Sequence, residues 1–295
     1  MQPYSHSIFY KGVTKRLNEE RVAELNRLAA KIRLGAVRAI AESVVHAGHL
    51  GGSMSIAEVL AVLYGEIMYV DPTDPHKADR DTLVLSKGHS APGLYGALAA
   101  KGFISEDVLS TMNYGGTQLP SHADMLKVPG IDATAGSLGQ GLSIAVGIAL
   151  ANRLLDCKRY SYCIIGDGES QEGQIWEAAL YAAQQKADHV IAFLDYNKKQ
   201  LDGYVDDICS LGDPAEKFKA FGWDVQTVDG HNVAEIYDAV IAAKAQTGKP
   251  SMIVLNTVKG KDALEFENAV YNHAGPIFPE FYERLKAHFQ TKIDA

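Results

Sequence analysis

Two stretches decide the fold class: residues 160–173, Tyr-Ser-Tyr-Cys-Ile-Ile-Gly-Asp-Gly-Glu-Ser-Gln-Glu-Gly, and residues 190–197, Val-Ile-Ala-Phe-Leu-Asp-Tyr-Asn. They predict a buried strand, a tight glycine turn, a helix and a second strand. Glycines in such a turn let backbone N–H groups approach a ligand, and a helix that begins there favours a bound anion. Asp167 in the turn would repel that anion unless a divalent cation lay between them. Because Asn197 adds a second oxygen ligand of the kind that Mg²⁺ or Ca²⁺ prefers, the pair indicates a metal–diphosphate site.

Strand and helix patterns alternate along most of the chain. Strands are expected at about residues 82–86, 161–165, 189–195, 224–229 and 251–257, and helices at about residues 18–46, 92–101, 139–147, 172–185, 213–220 and 232–247. A capping-box pattern at Ser55 predicts a further helix, and Asp213 and Asn232 are expected to cap two of the others. The apolar strands are typical of a mostly parallel sheet with helices on both faces, which is an α/β fold. Residues 1–17 are expected to form an irregular N-terminal arm, and residues 18–295 a single α/β domain.

Composition excludes several classes of function. The net charge of −8, with scattered lysines and arginines, gives no basic footprint for nucleic acid. No apolar run approaches the length of a membrane span, and the N-terminus lacks a basic-then-apolar signal, so no membrane partner is expected. The three cysteines are Cys157, Cys163 and Cys209, and they form no CxxC pair. Reduced thiols in a cytoplasmic protein are the expected state.

The glycine turn has two other interpretations. It could bind a dinucleotide, with Asp195 as the acid that contacts the ribose. The third glycine is displaced to Gly173, however, and Asp167 would point a negative charge at a pyrophosphate that such proteins hold without metal. The turn could also be purely structural, with Asp167 capping the helix that follows.

The Gly166-Asp167-Gly168 turn and Asn197 resemble the fingerprint of thiamine-diphosphate enzymes, and further segments narrow the resemblance to transketolases. The similar segments occur in the order found in that family, at residues 85–89, 134–141, 166–179, 195–197, 200–203, 221–223 and 228–231. The resemblance runs from about residue 25 to about residue 275. It implies the diphosphate-binding domain of the thiamine-diphosphate-binding fold.

The resemblance covers only half of a transketolase. The chain looks like the N-terminal subunit of a split enzyme, whose C-terminal partner subunit would carry the pyrimidine-binding domain and the glutamate that activates the cofactor. The resemblance implies an α2β2 assembly that is active only when both chains are present. It also implies transfer of a two-carbon ketol unit from a ketose, bearing a phosphate or a related acidic group, to an aldose.

The resemblance also implies the cofactors, thiamine diphosphate and Mg²⁺ or Ca²⁺. The implied metal ligands are the Asp167 carboxylate, the Asn197 amide oxygen and the backbone carbonyl of Lys199. The family usually has an apolar residue at the Lys199 position, but only the carbonyl is used there, so the side chain need not disturb the site. The residues that the resemblance assigns to cofactor binding are His89, Gly136, Ser137, Leu138, Asp167, Gly168, Glu169, Asn197 and His273.

Three histidines and one glutamate are the implied catalytic residues. His49, His122 and His273 match positions that line the substrate channel of transketolases, where imidazole suits proton transfer because its pKa lies near neutrality. Taken singly, a loop histidine is more commonly structural. Glu172 matches a glutamate at the family's dimer interface, but a glutamate in the first turn of a helix is also favoured by the helix dipole.

Two other functions remain open from the sequence. The chain could be the α-subunit of a 2-oxoacid dehydrogenase or decarboxylase, which shares the diphosphate motif but lacks the Ser-Lys-Gly-His segment and the histidine cluster. It could also be a non-catalytic regulatory subunit that retains the fold.

Overall fold

The structure, a computed structural model, describes residues 16–295, so the predicted arm lies almost entirely outside the described residues. Five strands form the main sheet: β2 Thr82–Leu85, β3 Ser161–Gly166, β4 Val190–Tyr196, β5 Asp224–Asp229 and β6 Ser251–Asn256. All neighbouring pairs are parallel, in the order β2-β3-β4-β6-β5. Two short segments, β1 Ala47–Gly48 and β7 Gly275–Pro276, pair antiparallel apart from this sheet.

Helices connect the strands and cover the sheet. Their bounds are α1 Glu19–Ala41, α2 Leu50–Met54, α3 Ala57–Val62, α4 Ala91–Lys101, α5 Gln140–Leu154, α6 Gly173–Gln184, α7 Val205–Cys209, α8 Pro214–Ala220, α9 Val233–Ala245, α10 Glu265–Asn268 and α11 Pro279–Asp294. One core packs one face of the sheet, including Phe193, against α1, α3, α4, α9 and α11. A second core packs the opposite face, including Leu194, against α5, α6 and α8. Successive strand residues point to opposite faces, so each strand contributes to both cores, which confirms the predicted α/β fold.

The local predictions have mixed outcomes. The side chains of Asp213 and Asn232 accept hydrogen bonds from the first turns of α8 and α9, which confirms both caps. The capping box at Ser55 is wrong, because α3 begins at Ala57 without a side-chain cap. The Ser55 hydroxyl instead donates to Asp195 Oδ2 at 2.7 Å. The first helix ends at residue 41 rather than 46, and α11 was not predicted.

Two expectations from composition concern features that the structure describes. Cys157, Cys163 and Cys209 are all free, in agreement with reduced thiols. Over residues 16–295, no helix has both the length and the apolar character needed to cross a membrane.

Candidate active site

Three of the residues singled out in the sequence, and one lysine that was not, follow the carboxyl ends of the parallel strands. β2 leads to His89, β3 to Asp167, β4 to Asn197 and β6 to Lys259. This edge of an open α/β sheet is where ligands bind. The backbone is packed tightly there, since a Cβ added to Gly88 would lie 1.7 Å from the carbonyl oxygen of Ala135. The segments before His89 and before residues 136–138 are therefore in direct contact.

Four histidines from separate segments gather at this edge around His49. The ring centre of His49 lies 5.2 Å from that of His89, 5.7 Å from that of His122 and 5.2 Å from that of His273. The rings of His89 and His273 are 4.9 Å apart. All four are partly exposed, so the cluster faces an accessible space. The structure thus brings together every histidine that the sequence singled out.

Three histidines of the cluster, His49, His89 and His273, disfavour positive charge. Burial, together with the charge of Lys87, lowers the pKa of His89 far below its usual value. Burial and the charge of Lys259 lower the pKa of His273 to about 3, and burial also lowers the pKa of His49. Neutral imidazoles carry one donor and one acceptor nitrogen each. At neutral pH the cluster can therefore both donate hydrogen bonds to sugar hydroxyls and accept them.

Asp167 is a buried carboxylate at the tip of the glycine turn. Its oxygens accept hydrogen bonds from the backbone N–H groups of Gly168, at 2.7 Å, and of Lys198. Burial and the nearby charge of Asp195 raise the pKa of the Asp167 carboxyl to about 7. A divalent cation would stabilise the ionised form of such a group. Asp167 does not cap α6, whose N-cap residue is Glu172, so the purely structural interpretation of the turn is not supported.

A buried ion pair fixes the orientation of Asn197. Asp195 is completely buried, and its Oδ2 accepts hydrogen bonds from Lys87 Nζ at 2.5 Å and from Asn197 Nδ2 at 2.8 Å. Thr257 donates to Oδ1 at 2.5 Å. Although burial favours the protonated form, Lys87 holds the pKa of Asp195 below its usual range. Because Asp195 accepts a hydrogen bond from the amide nitrogen of Asn197, the orientation of the amide is fixed, as it is for metal ligands held by a neighbouring carboxylate. The amide oxygen accepts a hydrogen bond from the N–H of Lys199 at 3.1 Å and has a second lone pair for a cation. Asp195 itself has no free oxygen for a ribose, which excludes the dinucleotide interpretation.

Lys259 lies among these groups. Its Nζ donates to the carbonyl of Lys199 at 2.9 Å and lies 3.0 Å from His273 Nδ1. Burial lowers its pKa to about 8, and the charge of Asp167 opposes that shift. The carbonyl that the resemblance assigns to the metal thus accepts a hydrogen bond from an ammonium group in this structure. Lys259 places a positive charge beside the same oxygen atoms that would hold a cation.

The available oxygen atoms fit a hard divalent cation. Over residues 16–295 no three His, Cys, Asp or Glu side chains converge on a common metal position. A cation here would instead be held by the carboxylate of Asp167, the amide of Asn197 and the carbonyl of Lys199. Mixed carboxylate, amide and carbonyl oxygens, completed by phosphate and water, suit Mg²⁺ or Ca²⁺.

Glu169 connects three loops. Its Oε1 accepts hydrogen bonds from the hydroxyl of Ser86 and from the N–H of Gly139 at 2.9 Å, and its Oε2 accepts from the N–H of Gly166 at 2.9 Å. These bonds give Glu169 a structural role, and its contact with the cofactor stays a prediction. Glu169 holds the strand ends and the start of α5 together.

The remaining predicted residues lie at the edge of the site. Gly136 and Ser137 are exposed, Leu138 is half-exposed, and a Cβ on Gly136 would meet nothing within 4 Å. This backbone is open to a ligand. Glu172 is exposed at the start of α6, where its side chain makes no capping hydrogen bond. Its position is compatible with a role at a subunit interface and does not support one in capping.

Sequence reasoning missed four residues that organise the site: Lys87, Asp195, Lys259 and His231. The side chain of His231 lies between Glu58, at 3.1 Å from Nδ1, and the N–H of Val258, which donates to Nε2 at 2.9 Å. It thereby fixes the backbone just before Lys259. Lys87, Asp195 and His231 carried a signal, since they lie within the segments 85–89, 195–197 and 228–231 that resemble transketolases. No local pattern indicates the role of Lys259.

Comparison with known proteins decides the family. Residues 25–292 match the family model for the transketolase, thiamine diphosphate binding domain. The chain belongs to this transketolase family. It is 52% identical over 245 residues to the 6-deoxy-6-sulfo-D-fructose transketolase subunit of a Clostridium species, a match that covers 83% of this chain and 89% of that one. It is 37% identical to an apulose-4-phosphate transketolase subunit of Phocaeicola vulgatus, over 84% of this chain and 88% of that one.

Solved transketolases share the fold but are much longer. A transketolase variant from Pichia stipitis superposes with a TM-score of 0.84 at 30% identity, over 90% of this chain and 40% of that one. The chain therefore corresponds to the N-terminal subunit of a split transketolase, as the sequence predicted. Thiamine diphosphate is the cofactor of this domain family. The 2-oxoacid dehydrogenase alternative is not favoured, because the matches are to transketolases.

Proposed function

We propose that the chain, with a C-terminal partner subunit, transfers a two-carbon ketol unit from a ketose to an aldose. The observation that carries this proposal is the convergence of four histidines beside Asp167 and Asn197, at the sheet edge where the turn for the diphosphate ends. When bound, thiamine diphosphate supplies the carbon nucleophile. The chain supplies binding, orientation and proton transfer.

One group of residues would bind the metal and the cofactor, and a second group would bind the substrate. Asp167, Asn197 and the Lys199 carbonyl would hold Mg²⁺ or Ca²⁺, and the N–H of Gly168 and the imidazole of His89 would hold the diphosphate. The backbone of residues 136–138 would contact the aminopyrimidine ring. His49, His122 and His273 would bind the ketose hydroxyls and move protons while the carbon–carbon bond breaks. Neutral imidazoles suit this task because each can take a proton and return it.

The donor is proposed to be a ketose with a terminal anionic group. The relatives reported above are named as transketolase subunits for 6-deoxy-6-sulfo-D-fructose and for apulose 4-phosphate, and the first shares more identity with this chain. We therefore place 6-deoxy-6-sulfo-D-fructose first among donors, ahead of apulose 4-phosphate and of common pentose phosphates. The cytoplasmic location stays a prediction.

The requirement for a partner gives the direct test of this function. The purified chain is mixed with thiamine diphosphate, Mg²⁺, an aldose acceptor and each of the three donors, with and without a C-terminal transketolase subunit. Ketol transfer is expected only when both chains are present, with the highest kcat/KM for the sulfonated donor. Transfer by this chain alone would rule out the split active site, and no transfer with any cognate partner would rule out the function.

We infer that a second copy of this chain completes an α2β2 assembly through the outer face of α5 and α6. The exposed apolar side chains on this face include Leu154, which is 87% exposed, and Leu180, which is 63% exposed. A Cβ on Gly147 would meet nothing within 4 Å, so another helix can approach α5 closely there. Glu172, which the family resemblance assigns to a dimer interface, begins the same helix that carries Leu180. These features favour a two-fold contact between identical surfaces.

Sedimentation of the isolated chain tests this interface. Wild-type protein is expected to sediment as a dimer and Leu180→Glu as a monomer, because the substitution would bury two carboxylates in an apolar contact. Leu126→Glu is the matched control, since Leu126 is 88% exposed but lies on a loop outside this face. A monomeric wild-type chain, or a Leu180→Glu dimer, would contradict the inference.

A further inference from the structure

The side chain of Lys199 joins two loops of the candidate site. We call residues 197–204, which follow β4, the metal loop, and residues 258–273, which follow β6, the histidine loop. Lys199 Nζ donates to the carbonyl of Ala269 at 3.0 Å and lies 5.4 Å from the ring centre of Tyr204. In the opposite direction, Lys259 Nζ donates to the carbonyl of Lys199 at 2.9 Å. Each loop thus contributes one lysine ammonium group that donates a hydrogen bond to a backbone carbonyl of the other loop.

We propose that Lys199 is a positioning residue whose side chain holds the histidine loop, and with it His273, against the metal loop. The sequence suggested an idle side chain at this position, because only the backbone carbonyl is implied in metal binding. The structure instead gives its ammonium a charged hydrogen bond to the other loop. This inference rests on the proposed function only for its effect on substrate, because the link between the loops is a property of the chain itself.

Residues 267–271 of the histidine loop have little other support. The residues before them are anchored, because Ala263 is fully buried, Phe266 packs on the core and Glu265 pairs with Arg284. α10 has four residues, none of them buried, and Val270 and Tyr271 are 57% and 71% exposed. Asp262 and Leu264 adopt φ values of 65° and 52°, which non-glycine residues rarely adopt. The inner end is better held, because Asn272 donates to the carbonyls of Lys259 and Glu267. The bond from Lys199 to the carbonyl of Ala269 therefore reaches the part of the loop, residues 267–271, in which no residue is buried.

The position of His273 depends on both ends of this loop. His273 Nδ1 lies 3.0 Å from Lys259 Nζ, which also donates to the carbonyls of Lys199 and Gln200 in the metal loop. Loss of the Lys199 bond would let residues 267–271 open, while core packing still held residues 263–266 and Lys259 still held its contacts with the metal loop. The substrate side of the site should then loosen, and the metal ligands should keep their geometry.

Hydrogen exchange on the isolated chain tests the link without requiring any activity. Lys199→Met is expected to speed amide exchange in residues 267–271 by about tenfold, which equals about 1.4 kcal/mol, because the substitution removes a hydrogen bond from a charged donor. Lys199→Arg should restore most of the protection. Lys198→Met is the matched control: it removes the same charge from the same loop, but the ammonium of Lys198 lies over the Tyr196 ring instead. Unchanged exchange in Lys199→Met, or equal acceleration in Lys198→Met, would overturn the proposal.

Kinetics of the assembled complex separate this role from metal binding. Lys199→Met is expected to raise the donor KM about three- to tenfold with a smaller change in kcat, as a contact worth up to about 1.4 kcal/mol would. The affinity for Mn²⁺ in the presence of thiamine diphosphate should remain at the wild-type value. A large loss of Mn²⁺ affinity would assign the side chain to the metal site and overturn the proposal. If the wild-type complex shows no ketol transfer, the proposed function is wrong. Hydrogen exchange still tests the bond between Lys199 and Ala269, because that experiment requires no activity.

Discussion

Asp167→Asn is expected to lower ketol transfer by the assembled complex more than about 100-fold, because even changes one shell away from a metal cost about 10–100-fold. The substitution leaves the size of the side chain nearly unchanged and removes the charge that would face the cation. Mn²⁺ binding in the presence of thiamine diphosphate should be lost in parallel. Steady-state kinetics and Mn²⁺ titration of the same preparation measure the two effects.

The stability of the metal-free chain distinguishes a lost site from a lost fold. Burial and the charge of Asp195 raise the pKa of Asp167 from 3.8 to about 7. The metal-free fold therefore loses stability as the pH rises between these two values, and the loss is complete above pH 7. Asp167→Asn removes the charge of this carboxylate, and its free energy of unfolding at pH 8 should therefore equal or exceed that of wild type. Asp202→Asn is the matched control, because Asp202 is an exposed residue of the metal loop and should keep wild-type metal affinity. Full activity in Asp167→Asn would support the non-catalytic alternative.

Lys87→Met is expected to lower the free energy of unfolding by about 3–5 kcal/mol, the cost of removing one partner from a buried ion pair. Lys87 and Asp195 are 2% and 0% exposed, and their charged atoms are 2.5 Å apart. Without the ammonium, the carboxylate of Asp195 would remain buried without a counter-charge. Denaturant titration of the metal-free chain measures the loss, and Lys158→Met, at an exposed lysine, is the control.

A second substitution tests whether the loss of stability in Lys87→Met comes from the unpaired buried carboxylate of Asp195. The double variant Lys87→Met with Asp195→Asn should recover part of the stability, since replacing both partners of a buried pair costs less than removing one. It should not recover metal affinity, because Asp195 also orients Asn197 through the bond to its amide nitrogen. Additive losses from the two single substitutions would mean that the pair contributes no coupling and would contradict this account.

The parts of the fold that sequence could predict are those with a local pattern. The apolar runs of β3, β4 and β6 and the caps Asp213 and Asn232 each depend on residues a few positions apart, and the structure confirms them. The C-terminal helix α11 also carries a local signal that was missed, because Leu285 and Phe289, four residues apart, are both buried. The capping box failed for a different reason. In the folded chain the Ser55 hydroxyl donates its hydrogen bond to Asp195, which lies 140 residues later in the sequence, and not to the helix that follows it.

In the candidate site, too, the residues that could be predicted are those that lie in a recognisable local segment. The turn at Asp167, Asn197 and the four histidines could be named in advance because each lies in a segment that resembles transketolases. The network around them could not, since Asp195 is bonded by Lys87 and Thr257, residues far apart in sequence with no shared pattern. Lys259 is a further case, because its role follows only from the approach of the histidine loop to the metal loop.

The fate of isotopic label tests the central claim most directly. A ketose donor carrying ¹³C at C1 and C2 is incubated with an unlabelled aldose, thiamine diphosphate, Mg²⁺ and the two purified chains, and the products are examined by NMR. Ketol transfer predicts that both labelled carbons appear together at C1 and C2 of the new ketose, and only when this chain and its C-terminal partner are both present. Label transfer without the partner, or ¹³CO₂ release from a labelled 2-oxoacid in place of ketol transfer, would contradict the account.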